Sequence, residues 1–592
     1  MRRSVSLGGR AAVIAAMAAA AILTAGAMLT GVARSGSASA TACPAGDTGI
    51  TLAPGFCATV FADNLGHVRH LAVAADGTVY ANTWSGRYYQ NDKPPPGGFL
   101  LALRDTHGDG HADVVARFGD TVADGSAGGT GVQVHDGAVY AEENDKIVRY
   151  RLPPGTFVPD GKPETILSGM PLTGDHPMHP FIIDAQGDLF VDLGSATNSC
   201  QSANRMPDVA GIKPCTELET RAGTWRYDAN KTGQVFSPAE RYDTGLRNGE
   251  GFGFDTDGRL FATQHGRDQL SQNWPRLYTV EQGADLPAEE LVQLKQGADF
   301  GWPECYYDQN QKKLVLAPEY GGDGGRTAGV CAGKQAPVAA FPGHWAPNDL
   351  LIYNGRQFPA PYRGGAFIAF HGSWNRAPLR QSGYNVVFQP LDHGKAVGAY
   401  VVFADGFAGA HVDPGRAAFR PTGLAMGPDG ALYIADDVHG RIWRVTYGGD
   451  PATARLASAP HPTAMASATS ATPPEGIHPD AGRQASALPT PPGATPEQVS
   501  LGNRIFHGEA SGGACGGCHG PDAGGTPVGP SLTNGIYVWG DGSLPAITRT
   551  IKTGVPRPKN YTGVMPPKGG SPLSDADVAA VAAYVWAVGH AH

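Results

Sequence analysis

Between about residues 70 and 435 the chain repeats one arrangement of apolar and polar positions: an apolar run, an Xaa-Gly turn and a second apolar run. It occurs at 70–81 (HLAVAADGTVYA), 131–141 (GVQVHDGAVYA), 181–191 (FIIDAQGDLFV), 253–262 (GFDTDGRLFA) and 424–435 (LAMGPDGALYIA). Each copy reads as a β-hairpin. The copies recur every 50 to 70 residues or so, and 350–388 supplies an altered sixth copy in the one long gap. This predicts a six-bladed β-propeller of four-stranded blades. The competing fold is a β-sandwich or two β domains, but sandwiches do not usually repeat one hairpin at such a period.

The pattern changes at both ends. Arg2 and Arg3 precede an Ala-rich apolar run at 11–33, and small residues at 37–40 offer a cleavage site, so 1–40 reads as an export signal. Two alternatives stay open. A run of about 23 residues can span a bilayer if retained, and Cys43 can be a lipid-modified first residue. Beyond the last hairpin, 448–495 is rich in Ala, Pro, Ser and Thr with almost no aromatic residue, which reads as a linker. Helical spacing takes over at 496–508 and at 574–589, where Ser574 caps a helix with acids in its first turn. The fold is therefore mainly β: a propeller over 41–447, then a small all-α domain over 496–592.

Composition supports a turn-dense β structure, with 83 Gly, 48 Pro and only 17% charged residues. The formal net charge of -9 argues against a nucleic-acid partner. Eight cysteines suit an oxidising, periplasmic or otherwise exported location. Six of them fall into local couples, Cys43 with Cys57, Cys200 with Cys215 and Cys305 with Cys331. Proximity favours that pairing among the fifteen connectivities that six cysteines allow.

The other two stand in Cys515-Gly-Gly-Cys518-His519, where thiols one helical turn apart can bond both vinyl groups of one haem and His519 can ligate its iron. A redox disulfide or half a zinc site does not account for the adjacent His, and the chain has no second CxxC. Met565, in a Pro/Gly-rich loop, is the candidate sixth ligand. This C-terminal segment resembles a class I type cytochrome c domain, which implies His519 and Met565 as the axial ligands of haem c.

The polar motifs of the propeller stand at blade edges, where a propeller gathers its functional loops. His176 and His179 precede the third hairpin, Arg247-Asn248-Gly-Glu250 the fourth and Arg420 the last, while Gln264-His-Gly-Arg267 follows the fourth. With Gly297-Ala-Asp-Phe-Gly-Trp-Pro303, these residues make 43–447 similar to the glucose/sorbosone dehydrogenase family, six-bladed propellers that use pyrroloquinoline quinone (PQQ). The resemblance implies His176 as general base with His179 its competitor, and Arg247 and Asn248 on the quinone. It also implies Arg420 on a quinone carboxylate, main-chain oxygens of Gly266 and Arg267 on Ca²⁺, and a further cationic contact from 370–376, where His371 or Arg376 replaces the Lys of some members. Glu250 departs from the family's Gln, an acid that a tricarboxylate repels unless it is protonated or faces calcium.

One acidic loop is a candidate second calcium site: Asp105, Asp109 and Asp113 occupy positions one, five and nine of an EF-hand-like run with Gly at six. His107 at position three and the missing terminal Glu favour a plain Asp/Gly turn instead. The expected function is oxidation of a sugar, a sorbosone-like aldehyde or an alcohol by hydride transfer to PQQ, with electrons passed to the chain's own haem and then to an external acceptor. The alternative is a carbohydrate- or partner-binding propeller carrying an electron-transfer domain. A linker of this composition spans on the order of 40 Å, enough to let the haem domain dock and leave. Membrane contact is expected only if the N-terminal segment is retained.

Overall fold

The computed structural model describes residues 43, 48–83, 96–119, 129–373, 375–376, 379–410, 412, 417–461, 488–507, 510–511, 513, 515–520, 523–525, 529–559, 565–571 and 573–591. The expected signal, and with it the question of a retained membrane anchor, lies outside the described residues, as does the middle of the expected linker. Among the described residues no helix is long and apolar enough to cross a membrane.

Six sheets form the propeller, and their innermost strands are Val68–Val73, Val132–His135, Phe181–Ile183, Phe252–Phe254, Pro347–Ile352 and Pro421–Met426. Each packs on the next, and the last returns to the first. The five hairpins read from sequence are the first two strands of blades one, two, three, four and six. Their registers pair each inner strand antiparallel with its neighbour, as in Phe181↔Val191 and Phe252↔Ala262. The altered copy is blade five, whose 347–352 and 366–370 strands pair with a register shift between Pro347 and Asp349.

The blades depart from four strands where the chain needs an edge covered. Blade three has three strands, and its outer edge is finished by an isolated bridge from Trp225 to Arg241, whose guanidinium lies 4.0 Å from the Trp225 ring centroid. Blade five gains a fifth strand from Thr51–Leu52. Blade six is closed by Phe56–Ala62, which pairs with Ile442–Tyr447, so strands near the two ends of the propeller sequence share one sheet and the ring has no open seam. Cys43–Cys57 staples that closing strand, and Cys200–Cys215 and Cys305–Cys331 complete the three disulfides in the pairing that proximity favours. A disulfide at Cys43 leaves no thiol for a lipid.

Residues 448–461, counted to the linker by composition, return along blade five. Ala459 N–H donates to Val402 O (2.7 Å), and Thr51 Oγ1 donates to Pro460 O (2.8 Å). Polar, aromatic-poor sequence looks like linker whether or not its backbone finds a sheet edge.

In the C-terminal domain, Pro496–Phe506 and Asp575–Gly589 pack together, each opened by a capping box (Thr495 with Gln498, Ser574 with Asp577). Gly502 is the crossing point, since a Cβ there would lie 2.0 Å from Ala580 O. A third helix, Leu544–Thr553, completes the core with Ile547 and Ile551.

Candidate functional site

The antiparallel hairpins place one kind of loop at one face. The chain enters every inner strand and leaves every second strand at the same end of the axis, so segments 171–180, 194–198, 244–251, 265–269, 342–346, 371–373 and 417–420 converge there.

His176 is buried in this cluster. Its Nδ1 lies 2.8 Å from Ser195 O, a carbonyl that accepts only, so Nδ1 carries the proton and Nε2 has no hydrogen-bond partner among the described residues. Gly194 permits this placement: a Cβ there would come within 2.6 Å of His176 Cβ and 2.8 Å of Asn248 Oδ1. Burial first, and then the charge of Arg247, push His176 well below the usual histidine range, so the ring is neutral at physiological pH. His179 has a different place. Its Nε2 lies 3.0 Å from Pro171 O and its N–H donates to Glu142 Oε1 at 2.7 Å, which makes it part of the buried wall between blades two and three.

Arg247 reaches across the gap between blades three and four. Its guanidinium donates to Asn198 O (3.2 Å), Asn198 Oδ1 (3.0 Å), Gly266 O (2.9 Å) and Asp268 Oδ2 (2.8 Å). Asp268, which sequence reading missed, is the hub. Oδ2 also accepts from Arg205 at 3.1 Å, Oδ1 accepts from Asn375 at 2.8 Å, and His344 Nδ1 lies 3.7 Å from Oδ1. Burial alone would raise Asp268, but Arg247 and Arg205 hold it well below the usual carboxylate range. Its only sequence signal is an acid directly after the Gln264-His-Gly-Arg267 run.

On the other side of the axis, Arg420 donates to His371 O (3.1 Å), Gly372 O (2.8 Å) and His371 Nδ1 (2.8 Å). His371 Nε2 in turn lies 2.9 Å from Asp437, whose other oxygen binds Arg69 at 2.6 Å. Burial and Arg420 push His371 down to about 3, so it is a neutral relay here and the cationic contact expected of it is corrected. Arg376 is also placed elsewhere: it donates to Ala284 O (2.7 Å) and Gly343 O (3.1 Å) and pairs with Asp285. Asn248 shares a weak contact (3.4 Å) with buried Glu250. Burial raises Glu250 above the usual range, which disfavours its charged form and weakens the charge conflict at that position.

The calcium expectations fare differently. Gly266 O accepts from Arg247 Nη1 (2.9 Å), while the Arg267 side chain pairs with Glu319 (2.6 Å) and leaves its own main-chain oxygen to one side. Calcium at Gly266 O therefore requires Arg247 to release that oxygen, and no chemistry below runs through calcium. At 105–113 the three carboxylates are spent on the loop itself. Asp105 accepts from Gly108 N (2.6 Å) and Gly110 N (2.8 Å), Asp109 from His111 N (3.0 Å) and Asp113 from Thr106 N (2.8 Å), the hydrogen bonding of an Asp/Gly turn.

The haem motif forms one helical turn, with Cys518 N–H and His519 N–H both donating to Cys515 O (3.2 and 3.0 Å). His519 Nδ1 lies 3.0 Å from Pro530 O, which fixes the proton there and leaves Nε2 for iron. Cys515, Cys518, His519 and Met565 line one cavity of about 1240 Å³, mouth included, whose walls are largely apolar: Phe506, Leu532, Ile547, Ile551, Val581 and Val585 among them. Two thiols, an oriented imidazole and a thioether around an apolar slot fit a haem c. For PQQ, the buried guanidiniums of Arg247 and, across the axis, Arg420 offer the positive charge a tricarboxylated quinone requires, and His176 Nε2, without a hydrogen-bond partner among the described residues, is an acceptor for a substrate hydroxyl proton, so the residues fit.

Residues 50–448 match the TrAA12-like family and residues 499–589 match cytochrome c. The chain belongs to the TrAA12-like family. The propeller is 19% identical, with a TM-score of 0.53, to the family AA12 enzyme of Trichoderma reesei, over 67% of this chain and 97% of that one. A TM-score of 0.52, also at 19% identity, relates it to the holo PQQ domain of the Coprinopsis cinerea pyranose dehydrogenase, over 68% of this chain and 98% of that one. Among curated sequences, the PQQ-dependent pyranose dehydrogenase of Coprinopsis cinerea is 25% identical over 34% of this chain and 30% of that protein. An uncharacterised protein of Borreliella burgdorferi is 29% identical over 34% of this chain and 48% of its own length. The chain thus spans less than half the length of these curated relatives.

Proposed function

We propose that this TrAA12-like chain is an exported quinohaemoprotein dehydrogenase that oxidises a sugar or a related aldehyde or alcohol and delivers the electrons to its own haem c. The observation that carries it is the pairing of His176 with the arginine face of the propeller. A neutral imidazole, anchored by Nδ1 on Ser195 O, presents Nε2 as a proton acceptor beside Arg247. Bound PQQ would supply the hydride acceptor and haem c the one-electron outlet. The chain's residues do the rest. His176 Nε2 takes the substrate hydroxyl proton; Arg247 and Arg420 supply positive charge where negative charge develops; Asp268 keeps Arg247 in place.

Three family-derived points belong to this reading: pyranoses as the substrate class, in keeping with the name of the Coprinopsis relative; calcium at the 266–267 loop, which requires Arg247 to release Gly266 O; and a periplasmic location, in keeping with three disulfides and a c-type haem motif. The test is reconstitution of the full chain with PQQ, with and without Ca²⁺, followed by dye reduction over a panel of sugars and aldehydes. Addition of substrate should also reduce the haem at a rate independent of protein concentration. No tight PQQ binding and no turnover on any member would replace this reading with a binding propeller.

A further inference from the structure

The insertions of blades three and four meet the cytochrome domain. Two propeller residues, Arg205 and Gln269, line the haem cavity together with Cys518, His519 and Met565. Arg205 comes from the 200–215 loop closed by Cys200–Cys215, and Gln269 from the start of a short helix, Leu270–Asn273. Both hold a left-handed backbone, with φ of 60° for Arg205 and 63° for Gln269. Long side chains rarely adopt that conformation, and it persists where surrounding structure demands it, commonly at functional sites.

These two residues also connect the cavity to the quinone-side cluster. Arg247 donates to Asp268 Oδ2 at 2.8 Å, Arg205 donates to the same oxygen at 3.1 Å, and Arg205 Nη1 donates to Gln269 Oε1 at 3.4 Å. Gln269 Nε2 approaches to 3.8 Å of where a Cβ on Gly570 of the haem domain would stand. Asp175 adds a second anchor, accepting from Arg205 Nε at 3.0 Å.

We propose that Arg205 and Gln269 form the contact through which electrons leave the propeller, holding the Cys518 edge of the haem against the quinone-side cluster. This rests on the quinohaemoprotein reading above. Oxidation of one CH–OH to C=O releases two electrons and two protons. The electrons cross the contact one at a time, each reducing one ferric haem to ferrous. An external one-electron acceptor, a cytochrome-type protein or ferricyanide, reoxidises the haem in between, and the protons leave to water by way of His176. Gln269 is a positioning residue in this scheme and touches neither substrate nor quinone.

The test uses the full-length holoprotein with Gln269→Gly, which removes the side chain and suits the positive φ, and Gln269→Asn, which keeps an amide but shortens its reach. Reduction of the haem by substrate, followed in a stopped-flow experiment without dye, should slow at least tenfold for Gln269→Gly and by less for Gln269→Asn. Turnover with an organic dye that takes electrons at the quinone should stay within twofold of the unmodified chain. A third measurement needs no activity: in haem-loaded protein without PQQ or substrate, hydrogen exchange at 568–571 should accelerate in Gln269→Gly. Unchanged haem reduction, unchanged exchange at 568–571, or equal loss of dye turnover and haem reduction would each overturn the contact. Failure of dye turnover in the unmodified chain would instead overturn the function reading, and the exchange experiment would still decide whether the contact exists.

Discussion

Replacing His176 separates its chemistry from its packing. The imidazole is held through Nδ1 by Ser195, at 2.8 Å from its O and 3.1 Å from its Oγ, and its Cβ fills the space above Gly194. His176→Gln can keep an N–H on Ser195 O and most of the volume, but it has no basic nitrogen. His176→Ala loses the bond, the volume and the base. A general base contributes about 10²- to 10⁴-fold, or about 3 to 5 kcal/mol of barrier at 1.36 kcal/mol per decade. Both variants should therefore lose at least a hundredfold in dye-linked kcat, while only His176→Ala loses stability, by about 1 to 3 kcal/mol. The assay is steady-state dye reduction by substrate with PQQ saturating, with the haem absorbance and the denaturant midpoint of the propeller as controls. The pH profile adds a sign. Burial and Arg247 hold His176 well below 6.5, so the base is already unprotonated at neutral pH, and the acid limb of kcat/KM should fall well below 6.5. Turnover of His176→Gln within tenfold of the unmodified chain, or an acid limb centred at 6.5 or above, would refute the assignment.

Further expected outcomes follow from other parts of the structure. Met565→Ala should lower the haem reduction potential, measured by spectroelectrochemistry, because a thioether ligand favours the ferrous state. His265, half-buried, and His371, buried, are pushed down to about 4 and about 3, so below pH 6.5 only the unfolded chain takes up their protons. Stability should then fall as pH drops from 6.5 toward 4, by up to ~1.4 kcal/mol per pH unit for each histidine, in denaturant titrations. Removing Cys200–Cys215, which closes a 15-residue separation, should cost about 3 kcal/mol and slow haem reduction more than dye reduction, since Arg205 lies within that loop. Glu250→Gln should change stability by less than about 1 kcal/mol, because burial raises this acid and so limits what its charge contributes; a larger loss would mean that the Glu250 carboxylate is paired.

How much was legible depended on the range of the interaction concerned. Strand pairs and turns are local, so an apolar run, an Xaa-Gly turn and a second run state a hairpin within a dozen residues, and the period of the copies states the blade number. The haem turn is local too: Cys515, Cys518 and His519 need only one helical turn to face one side. The blade-edge position of His176, Arg247 and Arg420 followed from the hairpins, since loops before inner strands share one face. Which of these side chains meet is a matter of distances across the axis, which no local run of sequence states. Arg376 goes to Ala284 and Gly343, His371 is neutralised by burial beside Arg420, and the Gly266 oxygen receives a guanidinium. Asp268 and Arg205 carried no periodic signal.

The sequence by itself determined the six hairpin-built blades, the capped helices around a Cys-Gly-Gly-Cys-His turn, and which residue types stand at the blade edges. Only the tertiary structure decided that one carboxylate, Asp268, ties Arg247 to Arg205, and that Arg205 reaches the haem cavity. Periodicity encodes neighbours on one strand or helix. Burial, charge and contact between segments hundreds of residues apart exist only once the ring has closed and its insertions have packed.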